Sequence, residues 1–380
     1  MDLLGTAIFR NLKSFVRVAK LDIRIYFSAD RGRRTLFATM AGAAPQIASF
    51  AVLFMGIGLV AMLIWNVPDH RVGDGLSPTP AGIQSVAVSR VVGLKAAVET
   101  EVKAEAKPQG VIVVSTSADD LFKNFRKIGY RLEDVRKGDG AVPRVFVKTM
   151  PRDIGEFSSV ATRKAVFIKT MLPLVLRTNE ELRAIRAKVL TLTAREAKGQ
   201  TLASFERAWL AAHYDRFGVS QRNLAGLLLR VDVIPPSLAL AQGAEESGWG
   251  SSRFALEGRA IFGQRTHSKA SGLIPVNRAA GADFKIKSFG HLLEGVRSYA
   301  QNLNTHPAYA GFRALRARMR AEAGDGLDAY RLVNALENYS ERGADYLKTI
   351  KSIIRVNDLR ALDGARLSQA SGGGELLNPA

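Results

Sequence analysis

The sequence predicts a mainly α-helical protein preceded by an N-terminal transmembrane helix, and three observations predict that class. The window Ile47–Trp65 (IASFAVLFMGIGLVAMLIW) is uncharged, and at about 1.5 Å per residue it is long enough to cross a bilayer. Apolar residues recur at helical spacing through most of residues 159–305 and again after Tyr339. Within that range lies a segment punctuated as a helix: Pro235-Pro236 opens it, where a missing N–H costs little, and Gly248 stops it, where a left-handed residue is tolerated.

Taken in order, residues 1–34 place Leu4, Ala7, Ile8, Leu12, Phe15, Val16 and Ala19 at helical spacing among lysines and arginines. They read as a basic amphipathic segment on the inner membrane surface, with a docking site for a protein partner as the other use. Residues 35–67 form the anchor. A cleaved signal peptide would have a shorter charged leader, a shorter apolar core and a small-residue cleavage site, whereas Asn66-Val67-Pro68-Asp69-His70 follows here. Arg10, Lys13, Arg17, Lys20, Arg24, Arg31, Arg33 and Arg34 precede the span against Asp2, Asp22 and Asp30, so the N-terminus is cytoplasmic and the body exported.

Residues 68–140 read as a linker and small irregular region, rich in Gly, Pro, Ser and Ala up to about Gly110, with helix around Val86–Glu105. Short strands are expected at Ile112–Ser115 and Arg144–Val147, and a helix at Ala118–Ile128. Residues 141–230 form a helical accessory region: Ser159–Ala197, kinked or broken at Pro173 and with its arginines and lysines on a solvated face, then Thr201–Phe217 and Asn223–Arg230. Residues 231–365 form the main domain, with a helix at Phe289–Thr305 opened by Ser288 and a closing amphipathic helix at Tyr346–Ile354. Residues 366–380 are a disordered tail, marked by Gly372-Gly373-Gly374.

Composition excludes several chemistries. The absence of cysteine removes disulfides, thiolate metal sites and cysteine nucleophiles. The five histidines lack ligand spacing, so no metal or other cofactor is expected; His213 and Tyr214 read as packing residues and His306, before Pro307, as a turn residue. A net charge of +19 fits anionic lipid or a carboxylate-rich cell wall. Nucleic acid is not expected as a partner, because no basic cluster is interleaved with aromatics and the body is exported.

The chemistry concentrates in Val233–Gly250 (VIPPSLALAQGAEESGWG), where the helix runs from Pro236 to Ser247. Residues four apart share a helix face, so Gln242 and Glu246 point the same way, while Glu245 lies roughly 100° around the axis. A carboxylate at a helix C-terminus meets the negative end of the macrodipole, and partial burial near Leu238, Leu240 and aromatic residues also disfavours its charge. Both raise its pKa. A glutamic acid still protonated near neutral pH is what protonation of a glycosidic oxygen requires. A bare Glu-Glu pair at a helix end would ordinarily be surface; the glycine-flanked tryptophan beside it sets this one apart.

Read onward, Ser251–Gln264 (SSRFALEGRAIFGQ) completes a pattern that resembles the glucosaminidase domain, glycoside hydrolase family 73, and more narrowly its Bax-like branch in Gram-negative bacteria. Separate blocks carry the resemblance: Val142-Pro143-Arg144-Val145, Pro151-Arg152-Asp153, Leu172–Leu176, Asn302–Tyr309 and Tyr339–Gly343, over roughly Val142 to Leu362. It implies a helical lysozyme-like fold with a small β-lobe and an endo-β-N-acetylglucosaminidase that hydrolyses the β-1,4 bond after N-acetylglucosamine in peptidoglycan glycan strands. The enzyme would sit in the inner membrane by a single span, its catalytic domain in the periplasm. By the same resemblance Glu246 is the general acid, Tyr339 lies near the reacting sugar and Phe262-Gly263 lines the cleft. Gln242, Ser247, Trp249, Phe262, Gly263 and Gln264 are the substrate-binding candidates. Trp249 has two readings, a sugar-stacking platform or a core aromatic behind the catalytic helix, and its glycine neighbours favour the second.

The chain departs from the branch after Phe262-Gly263-Gln264, where an aromatic and a cysteine pair usually follow and Arg265–Gly272 (RTHSKASG) stands instead. Where the β-lobe can supply a second carboxylate, residues 281–289 offer only Asp283, with Lys285 close to the expected acid; Glu341 and Asp345 are the other candidates. Two further readings stay open. One is a lytic transglycosylase on the same fold, which also uses one glutamate beside a serine, and the other a peptidoglycan-binding scaffold without catalysis. An amidase fits less well, since such enzymes commonly need zinc.

Overall fold

Between Val166 and Asn179 every residue is buried, Lys169 and Arg177 included, and this run is the middle of one long helix. The computed structural model describes residues 23–30, 33–40, 110–114, 117–266, 272–275, 283–324 and 326–369. The chain divides into two units, Met1–Pro80 and Ala81–Ala380.

In the first unit β1 (Ile23–Asp30) pairs antiparallel with β2 (Arg33–Met40), in register from Ile23 opposite Met40 to Asp30 opposite Arg33. Ile23, Ile25 and Phe27 alternate with Arg24, Tyr26 and Ser28, a period of two in residues that favour strands. Ile23–Asp30 is therefore strand where residues 1–34 were read as helical, and Thr35–Met40, assigned to the anchor, belongs to β2. Leu4 through Ala19 and Ile47–Trp65 lie outside the described residues. Among the described residues no helix is long and apolar enough to cross a membrane.

The second unit is mainly helical. Its elements are β3 (Val111–Val113), α1 (Ala118–Lys127), α2 (Leu132–Lys137), β4 (Val145–Val147), α3 (Val160–Ala197), α4 (Ser204–Arg216), α5 (Leu224–Arg230) and α6 (Pro236–Ser247). These are followed by α7 (Arg253–Gly258), β5 (Arg265–Thr266), β6 (Lys285–Ile286), α8 (Leu292–Thr305), α9 (Ala310–Ala323), α10 (Ala329–Val333) and α11 (Ala344–Val356). β3 and β4 pair in parallel; β5 and β6 pair antiparallel and form the small β-lobe. α1 starts where two side chains satisfy its free N–H groups: Ser117 accepts from Asp120 N at 3.2 Å and Asp153 from Ala118 N at 2.9 Å.

α3 corrects two expectations. It runs unbroken through Pro173, because core packing on all sides of residues 166–179 outweighs the one backbone hydrogen bond that proline removes. Its charges are also not all solvated. Arg144 grips Glu180 with two bonds of 2.8 and 3.0 Å, while Arg177 and Arg297 both pair with Glu181, at 3.1 and 2.5 Å. The tail starts later than expected, since Leu367 bridges Val142 and Ser368 N donates to Val142 O at 2.8 Å. Residues 370–380 and Val86–Glu105 lie outside the described residues.

α6 sits at the centre, packed by α3, by α11 and by the 3-10 turn Leu359–Leu362. Buried Asn179 holds the segment leading into it, donating to Ile234 O at 2.7 Å and accepting from Ile234 N at 3.0 Å. Proline opens α6 with no capping side chain of its own, so Asp363 supplies the cap from far along the chain, accepting from Ser237 N and Ser237 Oγ at 2.8 Å each. Burial raises the Asp363 carboxyl from 3.8 to about 6. The folded state therefore holds more protons than the unfolded one between about pH 4 and pH 6, and stability is lost as pH rises through that window. Asp363→Asn is expected to flatten this slope while keeping the cap, and Asp363→Ala to lower stability by about 1 kcal/mol. Chemical denaturation at pH 4.5 and pH 6.5 checks both.

Candidate active site

α6 ends in three successive left-handed residues, Gly248 (φ 57°), Trp249 (φ 59°) and Gly250 (φ 85°). Such a turn reverses the chain at once, and only glycine fits its last position. A Cβ on Gly250 would lie 2.9 Å from Met150 Cε. Ser247 braces the turn: buried, its Oγ donates to Gly243 O at 2.5 Å and accepts from Gly250 N at 2.8 Å. Trp249 packs edge-on against Phe167, centroids 5.6 Å apart, with Lys164 Nζ 4.8 Å over its ring.

Glu246 instead faces a groove of about 1320 Å³. It is lined by Phe262 to Arg265 with Lys287, from the β-lobe side, by Ser298, Gln301 and Asn302 of α8, and by the segment Glu337–Gly343. Aromatic rings stiffen it. Phe262 stacks on Tyr299 at 3.9 Å, Tyr339 stacks on Tyr346 at 5.5 Å, and Tyr309 lies 5.9 Å from Tyr339. Gly263 has φ 59°, and a Cβ there would stand 3.5 Å from Glu246 Oε2. The missing side chain keeps the carboxyl open to the groove.

Burial raises the Glu246 pKa, and the neighbouring charge of Glu245 adds to the effect; a hydrogen bond from Tyr346 and the charge of Arg342 work against it. Arg342 is engaged elsewhere, on Glu245 at 2.5 Å. Burial lifts the Tyr339 phenol well above its ordinary range, so it stays a neutral donor, and its hydroxyl lies 3.5 Å from Phe262 O. A sheltered acid, neutral tyrosines and a polar groove together can protonate a leaving group and stabilise a developing positive charge.

The structure brings Glu246, Tyr339, Phe262, Gly263 and Gln264 together on the groove. Three substrate-binding candidates stand elsewhere. Gln242 is fully buried with both ends of its amide bonded to tyrosines, Ser247 is used up by the turn, and Trp249 lies outside the walls. Asp283 and Asp345 are exposed and outside the walls, the latter paired with Lys348 at 2.9 Å, and half-buried Lys285 is outside them too. Glu341 does line the groove, paired with Arg265 at 3.1 Å. Tyr309, Asn302 and Glu337 line it unforeseen, although the first two lie inside a block that carried the resemblance. His306 takes its expected turn role, Nδ1 accepting from Ala308 N at 3.2 Å, and His213 is buried and stacked on Trp209.

The sequence profile described as mannosyl-glycoprotein endo-beta-N-acetylglucosaminidase, the glucosaminidase family, matches residues 223–359, the stretch from the cap of α5 to the start of the 3-10 turn that follows α11. The fold and groove thus define a glucosaminidase-type domain. Over 203 residues the chain is 33% identical to protein bax of Escherichia coli (strain K12), an alignment covering 51% of this chain and 69% of that protein. The chain belongs to the Bax-like family of glucosaminidase-domain proteins. No solved structure matches it.

Proposed function

We propose that the protein is a membrane-anchored peptidoglycan hydrolase that cleaves the β-1,4 bond after N-acetylglucosamine, with Glu246 as general acid. The observation that carries this reading is the half-buried Glu246 on the wall of a groove of about 1320 Å³, its proton held by burial. Glu246 protonates the glycosidic oxygen, and the neutral Tyr339 beside it favours the oxocarbenium-like state. Glu341 on the groove wall replaces Asp283 as the candidate for positioning water. The apolar window Ile47–Trp65 and the basic residues ahead of it support an inner-membrane anchor with this domain in the periplasm.

One observation favours a second reading. Among the described residues, the β-lobe side presents Arg265 and Lys287 to the groove where a second carboxylate was expected. A lytic transglycosylase needs no water-activating acid, because the sugar's own hydroxyl closes the ring. Mass spectrometry of fragments released from sacculi tests the choice. Reducing N-acetylglucosamine ends are expected; anhydro-muramic ends would replace the hydrolase by the transglycosylase, and binding without release would leave a scaffold. Since Glu246 acts as an acid, the rate is expected to fall as pH rises through its raised pKa, measured as reducing ends released across pH.

A further inference from the structure

Beneath the groove lies a buried hydrogen-bond chain that joins three helices. Tyr299 of α8 donates its hydroxyl proton to Gln242 Oε1 at 2.7 Å, and Gln242 Nε2 of α6 donates to the Tyr346 hydroxyl at 2.9 Å. Tyr346 of α11 is in turn hydrogen-bonded to Glu246. Gln242 is 0% exposed and each tyrosine 1%, so water does not compete for these bonds.

An amide has two unlike ends, which gives the chain a direction. Because the Tyr346 oxygen accepts from Gln242, its own proton is left to donate to Glu246. Were the amide turned over, Gln242 would accept from Tyr346, and the acid could bond Tyr346 only by pointing its own O–H at the Tyr346 oxygen, away from the groove. Tyr299 decides between the two. With the amide reversed, its buried hydroxyl would face an NH₂ group and lose its acceptor, an arrangement protein interiors avoid.

We infer that Gln242, oriented by Tyr299, is a positioning residue that makes Tyr346 a donor to Glu246 and leaves the transferable proton on the carboxyl oxygen facing the groove. This rests on the reading of Glu246 as the acid. It also reassigns Gln242 from contacting sugar to controlling a proton. The other groups facing Glu246 are Glu245 on its own helix, Arg342 from the segment before α11, and Tyr309 and Tyr339. Arg265, Lys287, Glu337 and Glu341 also line the groove. The variants below leave all of these in place.

The test has a readout that does not depend on activity. In the full chain, with glutamate side-chain carboxyls carrying ¹³C, the apparent pKa of Glu246 is measured by NMR titration in the wild type, Gln242→Met, Tyr346→Phe and Tyr299→Phe. Each variant weakens donation to the ionised carboxylate, so the pKa is expected to rise, most in Tyr346→Phe and least in Tyr299→Phe. Tyr299→Phe keeps the ring stacked on Phe262 and serves if Gln242→Met does not fold. On sacculi, Gln242→Met is expected to lose roughly tenfold to a hundredfold in kcat with KM nearly unchanged. An unchanged Glu246 titration in Tyr346→Phe and Tyr299→Phe would overturn the inference, as would a raised KM at unaltered kcat in Gln242→Met. If wild-type protein released no glycan fragments while the titration still shifted, the hydrolase reading would fall and the hydrogen-bond direction would stand.

Discussion

Glu246→Gln is expected to lower release of glycan fragments from sacculi by about 10²- to 10⁴-fold, the range that a positioned general acid contributes. The substitution keeps the shape of the side chain and one hydrogen-bond acceptor for Tyr346, while removing the proton that must reach the leaving oxygen. Burial already holds the native carboxyl toward its neutral form, so the neutral amide suits the same surroundings. The melting temperature should therefore stay at the wild-type value or rise slightly. Binding to sacculi should also survive, because the walls of the groove are unaltered. A variant that both bound and cleaved as the wild type does would remove Glu246 from the chemistry and leave the groove as a binding surface alone.

The contrast with Glu245 sharpens this. The two residues are adjacent in sequence, yet Glu245 pairs with Arg342 at 2.5 Å on the surface, while Glu246 turns under the aromatic cluster. The 100° step of the helix makes that difference, and a period of 3.6 is visible in a bare sequence. Local signals of this kind were legible throughout. Pro236 and Gly248 gave the limits of α6 because each acts on its own backbone. The short strands expected at 112–115 and 144–147 stand at 111–113 and 145–147.

What was not legible depends on partners far away in the chain. Gln242 meets Tyr299 across 57 residues and Tyr346 across 104, so nothing beside Gln242 marks it as a support instead of a sugar contact. Asp363 caps a helix through Ser237, 126 residues earlier in the chain. α9, with the sequence AGFRALRARMRAEA, carries four arginines, and Arg313 and Arg316 among them point inward and find backbone carbonyls that only the folded chain supplies. Pro173 misled in the opposite sense, since its local effect is destabilising and only the surrounding core overrides it.

Asp232→Ala is expected to cost the fold roughly 3–5 kcal/mol, the penalty for leaving one member of a buried ion pair without the other. The Asp232 side chain is 4% exposed and takes two bonds of 2.6 Å from Arg320, with Arg316 at 3.7 Å and itself 1% exposed. Burial alone would raise the Asp232 pKa, but the Arg320 hydrogen bonds and the charges of Arg316, Arg320 and Arg186 outweigh it, and the net shift is downward. A depressed carboxyl stabilises the fold above its ordinary pKa and loses that contribution as pH falls through the folded value, so this site weakens in acid, opposite to Asp363. Without Asp232, Arg316 would keep its bonds to Val233 O and Asn304 Oδ1 but carry an uncompensated charge in the core. The double variant Asp232→Ala/Arg316→Leu should therefore lose less than the sum of the two single variants, measured by urea denaturation at pH 7. Additive losses would show that the pair holds position only through separate backbone contacts. Asp232 directly precedes Val233-Ile234, whose backbone Arg316 and Asn179 fix ahead of α6, so the single variant should lower activity in step with the fraction unfolded and leave the pH profile of the remaining folded enzyme unmoved.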